Sequence, residues 1–98
     1  MSLWEPEPDA LYTLEHVAQL AGVPRRRIVL YARHGLMMPA TESGAVGWYF
    51  TAEAVRTLLR IERLRALHRL DLPSVRLVLE LIDEVERLRA ALRFSTNW

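Results

Sequence analysis

Residues 22–36 read "GVPRRRIVLYARHGL", and this stretch decides the fold. Gly22 readily takes the left-handed conformation that closes a helix. Pro24 suits the first turn of the next helix, where its missing N–H is not needed. Gly35 supplies the following stop. The spacing predicts a helix from about Pro24 to His34. At about 100° per residue, Ile28, Tyr31 and Ala32 gather on one side, the core side. Arg26, Leu30 and Arg33 lie opposite, flanked by Val29 and His34.

Outward from this stretch the pattern stays helical. Upstream, Thr13 is a candidate N-cap, because its hydroxyl can accept from free backbone N–H groups. "LEHVAQLA" then spaces Leu14, Val17, Ala18 and Ala21 along one helical face. Two short helices joined by one tight turn make a helix-turn-helix. Downstream, "LMMPATESGAVGWYF", residues 36–50, reads as a small hairpin or wing. Pro39, Ser43, Gly44 and Gly47 mark turns, and Trp48, Tyr49 and Phe50 are good strand formers.

Thr51 is expected to cap a third helix, from about Ala52 to Arg69. Val55, Leu58, Leu59, Glu62 and Ala66 follow one face, and Ile61, Leu64 and Leu67 widen it. Asp71 and Pro73 open a fourth helix, from about Leu72 to Arg93. Val78, Leu81, Val85, Leu88 and Leu92 alternate spacings of three and four. That is a coiled-coil seam, which packs on the third helix or on a second copy. The chain thus divides into a flexible tail (1–11, with Pro6 and Pro8), a helix-turn-helix domain with its wing (12–70), a C-terminal helix (71–93) and a last tail (94–98).

Composition narrows the function. The chain has 98 residues, no cysteine and a net charge of +1. Disulfides and thiolate chemistry are therefore excluded. No apolar run approaches the length of a membrane span, and the opening residues lack a signal-peptide pattern. The cytoplasm is the expected compartment. His16, His34 and His68 are scattered, so no metal site is expected. No paired catalytic acids, Ser/His/Asp set or phosphate-cradling glycine loop points to an enzyme, and no cofactor is expected.

The small net charge hides a strong asymmetry. Residues 1–22 carry −4, residues 23–70 carry +6 and residues 71–98 carry −1. Arg25, Arg26 and Arg27 stack three cations at a helix N-terminus, where the helix dipole already places positive charge. Their contacts are open between phosphate, protein carboxylates and solvent.

The order helix, tight turn, helix, wing, helix is similar to the DNA-binding domain of the MerR family. The likeness rests on "YTLEHVAQLAGVPRRRIVLYARHGLMMP" and on "YFTAEAV". It implies a mainly α, winged helix-turn-helix fold with a short C-terminal helical extension. Operator-binding members usually read "RYYE" where this chain has "VLYA", Val29 to Ala32. They usually carry a wing arginine near "GYR", where this chain has "GAVGWYF". An apolar Val29 and Leu30 rimmed by Arg26 and Arg33 resembles a protein interface.

The second half, "LDLPSVRLVLELIDEVERL", resembles the chaperone-modulator (CbpM-type) branch of the family. Leu70, Asp71, Leu72 and Pro73 carry that likeness, followed by Asp83 and Glu84, with Trp48 and Phe50 in the wing. It implies a protein that binds the J-domain of a DnaJ-like co-chaperone and inhibits its stimulation of Hsp70. Arg26, Val29, Leu30, Arg33, Asp83 and Glu84 are then the expected partner-binding residues. The alternative is a DNA-binding transcription regulator, of heat-shock genes among others, using Arg25, Arg26, Arg27 and Arg33. Either is expected to be a homodimer through the Val78, Leu81, Val85, Leu88, Leu92 seam.

Overall fold

The computed structural model describes residues 10–43 and 47–96. Residues 1–9, 44–46 and 97–98, which hold most of the expected N-terminal tail, the Gly44 turn and the end of the chain, lie outside the described residues. Three strands and four helices follow one another. They are β1 (Leu11–Thr13), α1 (Leu14–Ala21), α2 (Arg25–Arg33), β2 (Thr41–Ser43), β3 (Gly47–Thr51), α3 (Ala52–His68) and α4 (Leu72–Thr96).

The helix starts are chemically specified. The Thr13 hydroxyl accepts from the His16 N–H at 3.1 Å, and the Thr51 hydroxyl accepts from the Ala54 N–H at 3.1 Å. Each satisfies a backbone donor that the helix itself leaves free. The Asp71 carboxylate accepts from the Ser74 N–H at 2.9 Å at the start of α4. Hydrogen bonding from the Ser74 side chain first, and then from its backbone N–H, holds the Asp71 pKa below its ordinary 3.8. Between α1 and α2, Gly22 sits at φ 68°. A side chain would strain that conformation, so glycine makes the tight turn.

The sheet corrects two expectations. The wing hairpin, β2 with β3, is joined by β1, giving the antiparallel order β1-β3-β2. Tyr12 lies opposite Phe50. Leu11 thus belongs to a strand rather than to a tail. A three-residue strand is too short for alternation to reveal, and its partner is about forty residues away in the chain.

Boundaries shift elsewhere by a residue or so, except at the end. The fourth helix continues through Thr96, so 94–96 are helical rather than tail. No Gly or Pro interrupts the run, and Ala90, Ala91, Leu92 and Arg93 are strong helix formers.

The core forms where α1, α2, β3 and α3 meet. Val17, Ile28, Tyr31, Phe50, Val55, Leu58 and Ile61 are fully buried, with Val75 from α4 closing one side. Ile28 and Tyr31 are the core pair expected of α2. Leu79 still packs against the core, and beyond it α4 turns its seam to solvent. Leu81, Val85, Leu88 and Leu92 of the seam are all exposed, while Val78 is half-buried. The third helix therefore does not cover them, which removes the intramolecular option for most of the seam.

Candidate macromolecular interface

The three arginines at the start of α2 separate into three environments. Successive helix positions point about 100° apart, so three consecutive side chains leave the helix in three directions. Arg25 turns toward α1 and pairs with Glu15 at 3.1 Å, both side chains being well exposed. Arg27 turns the other way, toward α3, and donates to the Glu62 carboxylate at 2.7 Å. Arg26 points outward. Among the described residues it carries no ion pair, and neither does Arg33, about two helical turns further on.

Arg27 is thus tied into the scaffold, with 42% of its side chain still exposed. Glu62 also accepts from the Tyr31 hydroxyl in a short hydrogen bond. The Arg65 guanidinium donates to that same hydroxyl at 2.9 Å and stacks 5.8 Å from the ring centroid. Burial first, then donation to Glu62, push the Tyr31 pKa above its ordinary 10.0. The four side chains clamp α2 to α3 and fix which way the outer face of α2 looks. One signal of this clamp stood in the sequence: Glu62 is an acid on an apolar helix face, and a carboxylate there needs partners. Which partners was not legible.

The outer face of α2 forms an open groove lined by Leu14, Arg25, Arg26, Val29, Leu30 and Arg33. The expected quartet Arg26, Val29, Leu30 and Arg33 is therefore brought together on one surface. Leu30 is 41% exposed and Val29 half-buried, so the apolar centre faces solvent. Leu14 is half-buried against the core and also widens that centre from α1.

Asp83 and Glu84 do not join it. Asp83 lines a separate depression on α4, with Gly35, Met38, Glu53 and Arg60. Glu84 pairs with Arg87 on its own helix, which is exposed. The expected partner set is split between two surfaces, because the α2 face and the middle of α4 look in different directions.

Among the described residues, no group of three or more His, Asp or Glu side chains stands close enough to hold a metal ion. No helix there is long and apolar enough to cross a membrane.

Comparison with known proteins places the fold. Residues 12–82 match the family model described as "MerR HTH family regulatory protein". No curated protein matches the chain. Among solved structures, a MerR-family transcriptional regulator from Bacillus cereus superposes with a TM-score of 0.63 at 16% identity, covering 85% of this chain and 75% of that one. The HTH-type transcriptional regulator SkgA from Caulobacter crescentus superposes with a TM-score of 0.52 at 25% identity, covering 86% and 78%.

Proposed function

The chain belongs to the MerR helix-turn-helix regulatory family, and from that premise we propose that the α2 groove binds duplex DNA and that the chain is a homodimeric transcription regulator. The observation that carries this reading is the outer face of α2 itself. Arg25, Arg26 and Arg33 rim the second helix of a helix-turn-helix, the element that enters a major groove. Arginine suits the paired acceptors of guanine, and an apolar centre such as Val29 and Leu30 suits thymine methyl groups. The two solved structures named above are described as transcriptional regulators. A two-fold dimer would present two such faces to a pseudo-palindromic site. The role is cytoplasmic and assigns the chain no catalysis.

A second reading has its own observation. The groove has an apolar lining of Leu14, Val29 and Leu30, one of the three arginines is turned inward, and residues 40–50 hold no base. That combination also suits a protein partner. With the likeness of Leu70 to Leu88 to the chaperone modulators, the partner is a J-domain, and the chain inhibits the stimulation of Hsp70.

One experiment separates the two. Duplexes selected from a random library, and separately a cognate J-domain, are titrated into the full chain at low and at physiological salt. Sequence-selective DNA binding that survives physiological salt and is lost in Arg26→Ala supports the regulator. With three rim arginines and no basic wing, log Kobs should fall against log salt with a slope of about −3 per protomer. A salt-resistant J-domain complex, with DNA binding that ignores sequence, sinks the first reading and supports the second.

A further inference from the structure

The outer face of α2 carries more positive charge than the fold uses. Arg26 and Arg33 are exposed and carry no ion pair among the described residues. Arg25 meets Glu15 with 63% of its side chain still exposed. Between them the apolar centre of Leu14, Val29 and Leu30 opens to solvent. An apolar centre inside a charged rim is the anatomy of a docking surface. Such a surface fits an acidic segment that carries a large apolar side chain.

The chain itself holds that segment. Residues 4–9 read "WEPEPD", and the first 22 residues contain no Lys or Arg. We propose that this segment docks in the α2 groove of its own chain. Trp4 lies against Leu14, Val29 and Leu30, and Glu5, Glu7 and Asp9 meet Arg25, Arg26 and Arg33. The segment then competes with any ligand of that face. Docking stands independently of the DNA reading, whereas its effect on DNA affinity rests on that reading.

Three arguments choose this occupant over a foreign one. The first is position. The described chain begins at Ala10, which packs against the core, and Leu14, four residues on, already lines the groove. An extended chain covers about 3.3 Å per residue, so residues 4–9 span about 20 Å, whereas the whole of α2 is about 14 Å long.

The second is spacing. Glu5 to Asp9 covers about 12 Å in the polyproline geometry that Pro6 and Pro8 favour. Arg26 to Arg33 covers about 10 Å of helix, so acids and arginines are laid out on the same scale.

The third is cost. Each proline restricts itself and biases the residue before it toward extended backbone, so less freedom is lost on docking. A tethered segment also meets its site at an effective concentration of order millimolar. Exposed ion pairs that are weak singly then suffice when an indole is buried beside them.

The chain contains no cysteine, so Ser2→Cys accepts a single nitroxide for heteronuclear NMR of the full chain. The nitroxide should broaden the amides of Leu14, Arg26, Val29, Leu30 and Arg33 strongly and those of Leu81 and Leu88 little. Equal broadening of both sets, or none on α2, overturns the proposal. So does the same α2 broadening in a mixture where nitroxide and isotope sit on different chains, because the segment then comes from another molecule. Trp4→Ala leaves every charge in place. It should reduce the broadening and tighten DNA binding. A segment that covers the groove about 90% of the time weakens a competing ligand about tenfold, so its release tightens the DNA Kd by up to that factor. An unchanged Kd in Trp4→Ala and in the double variant Glu5→Gln, Glu7→Gln, where the parent reads DNA selectively, overturns the proposal. Docking in a chain that binds no DNA sinks the regulator and spares this inference, whereas DNA binding without docking does the reverse.

Discussion

Replacing Tyr31 by Phe should cost about 2 kcal/mol of folding stability. The ring is fully buried, and Phe fills the same space, so no cavity opens. What is lost is the hydroxyl, which donates to the Glu62 carboxylate and accepts from Arg65. A hydrogen bond to a charged group contributes about 1.5–3 kcal/mol. The Glu62 side chain is 22% exposed and keeps Arg27, so water partly replaces the lost donor, which places the cost near the lower half of that range. Arg65 keeps its stacking over the ring. For a domain of this size, about 2 kcal/mol lowers Tm by roughly 10 °C.

The assay is urea unfolding followed by far-UV circular dichroism, at one fixed protein concentration because a dimer's stability depends on it. A double-mutant cycle with Glu62→Gln completes it. Residues in one hydrogen-bond network should show a coupling of about 1 kcal/mol or more. If Tyr31→Phe stays within about 0.5 kcal/mol of the parent, the level expected of a surface change, the clamp does not hold α2 to α3. Simple additivity of the two substitutions would refute it equally.

The same tyrosine predicts an alkaline limb. Its folded pKa is raised above 10.0, so its contribution is complete below pH 10 and is lost as pH rises through the folded value. Tyr31→Phe should flatten that part of a Tm-against-pH curve. Arg27→Ala should lower stability and leave the slope of DNA affinity against salt unchanged. Arg26→Ala should do the opposite, sparing stability and reducing the slope by about 0.9. Asp71→Ala should fray the start of α4, seen as faster amide exchange at Ser74. Because the Asp71 pKa is lowered, the parent should show the same fraying as pH falls below the ordinary carboxylate range.

Most of the fold was legible because its signals are local. Thr13, Gly22, Thr51 and Asp71 are punctuation that acts within a turn of its own helix, and Ile28 and Tyr31 reveal the core side of α2 through periodicity alone. The outer quartet of α2 followed from the same geometry, since residues opposite a core face must share the other one. What stayed hidden depends on contacts between distant segments. The pairing of Leu11–Thr13 with β3 joins the start of the domain to its middle. Glu62 lies 35 residues from Arg27, and no spacing rule connects them. Asp83 and Glu84 were grouped with α2 by resemblance, and resemblance carries no information about which way α4 turns.

The arginine run shows how a tertiary contact can reverse a local reading. Three consecutive cations at a helix N-terminus oppose the dipole, which suggests that all three serve a ligand. Two carboxylates change that inference. Glu62 takes Arg27 into a part-buried network whose loss would leave a charge poorly compensated, so Arg27 belongs to the scaffold. Glu15 meets Arg25 only at the surface, where an ion pair is worth little and a phosphate can displace it. Arg27 is therefore held more firmly than Arg25, although the sequence treats them alike. The outer face of α2 is greasier than the string "RRR" implies, with Arg26 and Arg33 at its ends and Leu30 between. Its direction is set from behind by Tyr31, so the clamp that stabilises the helix also orients its outer face.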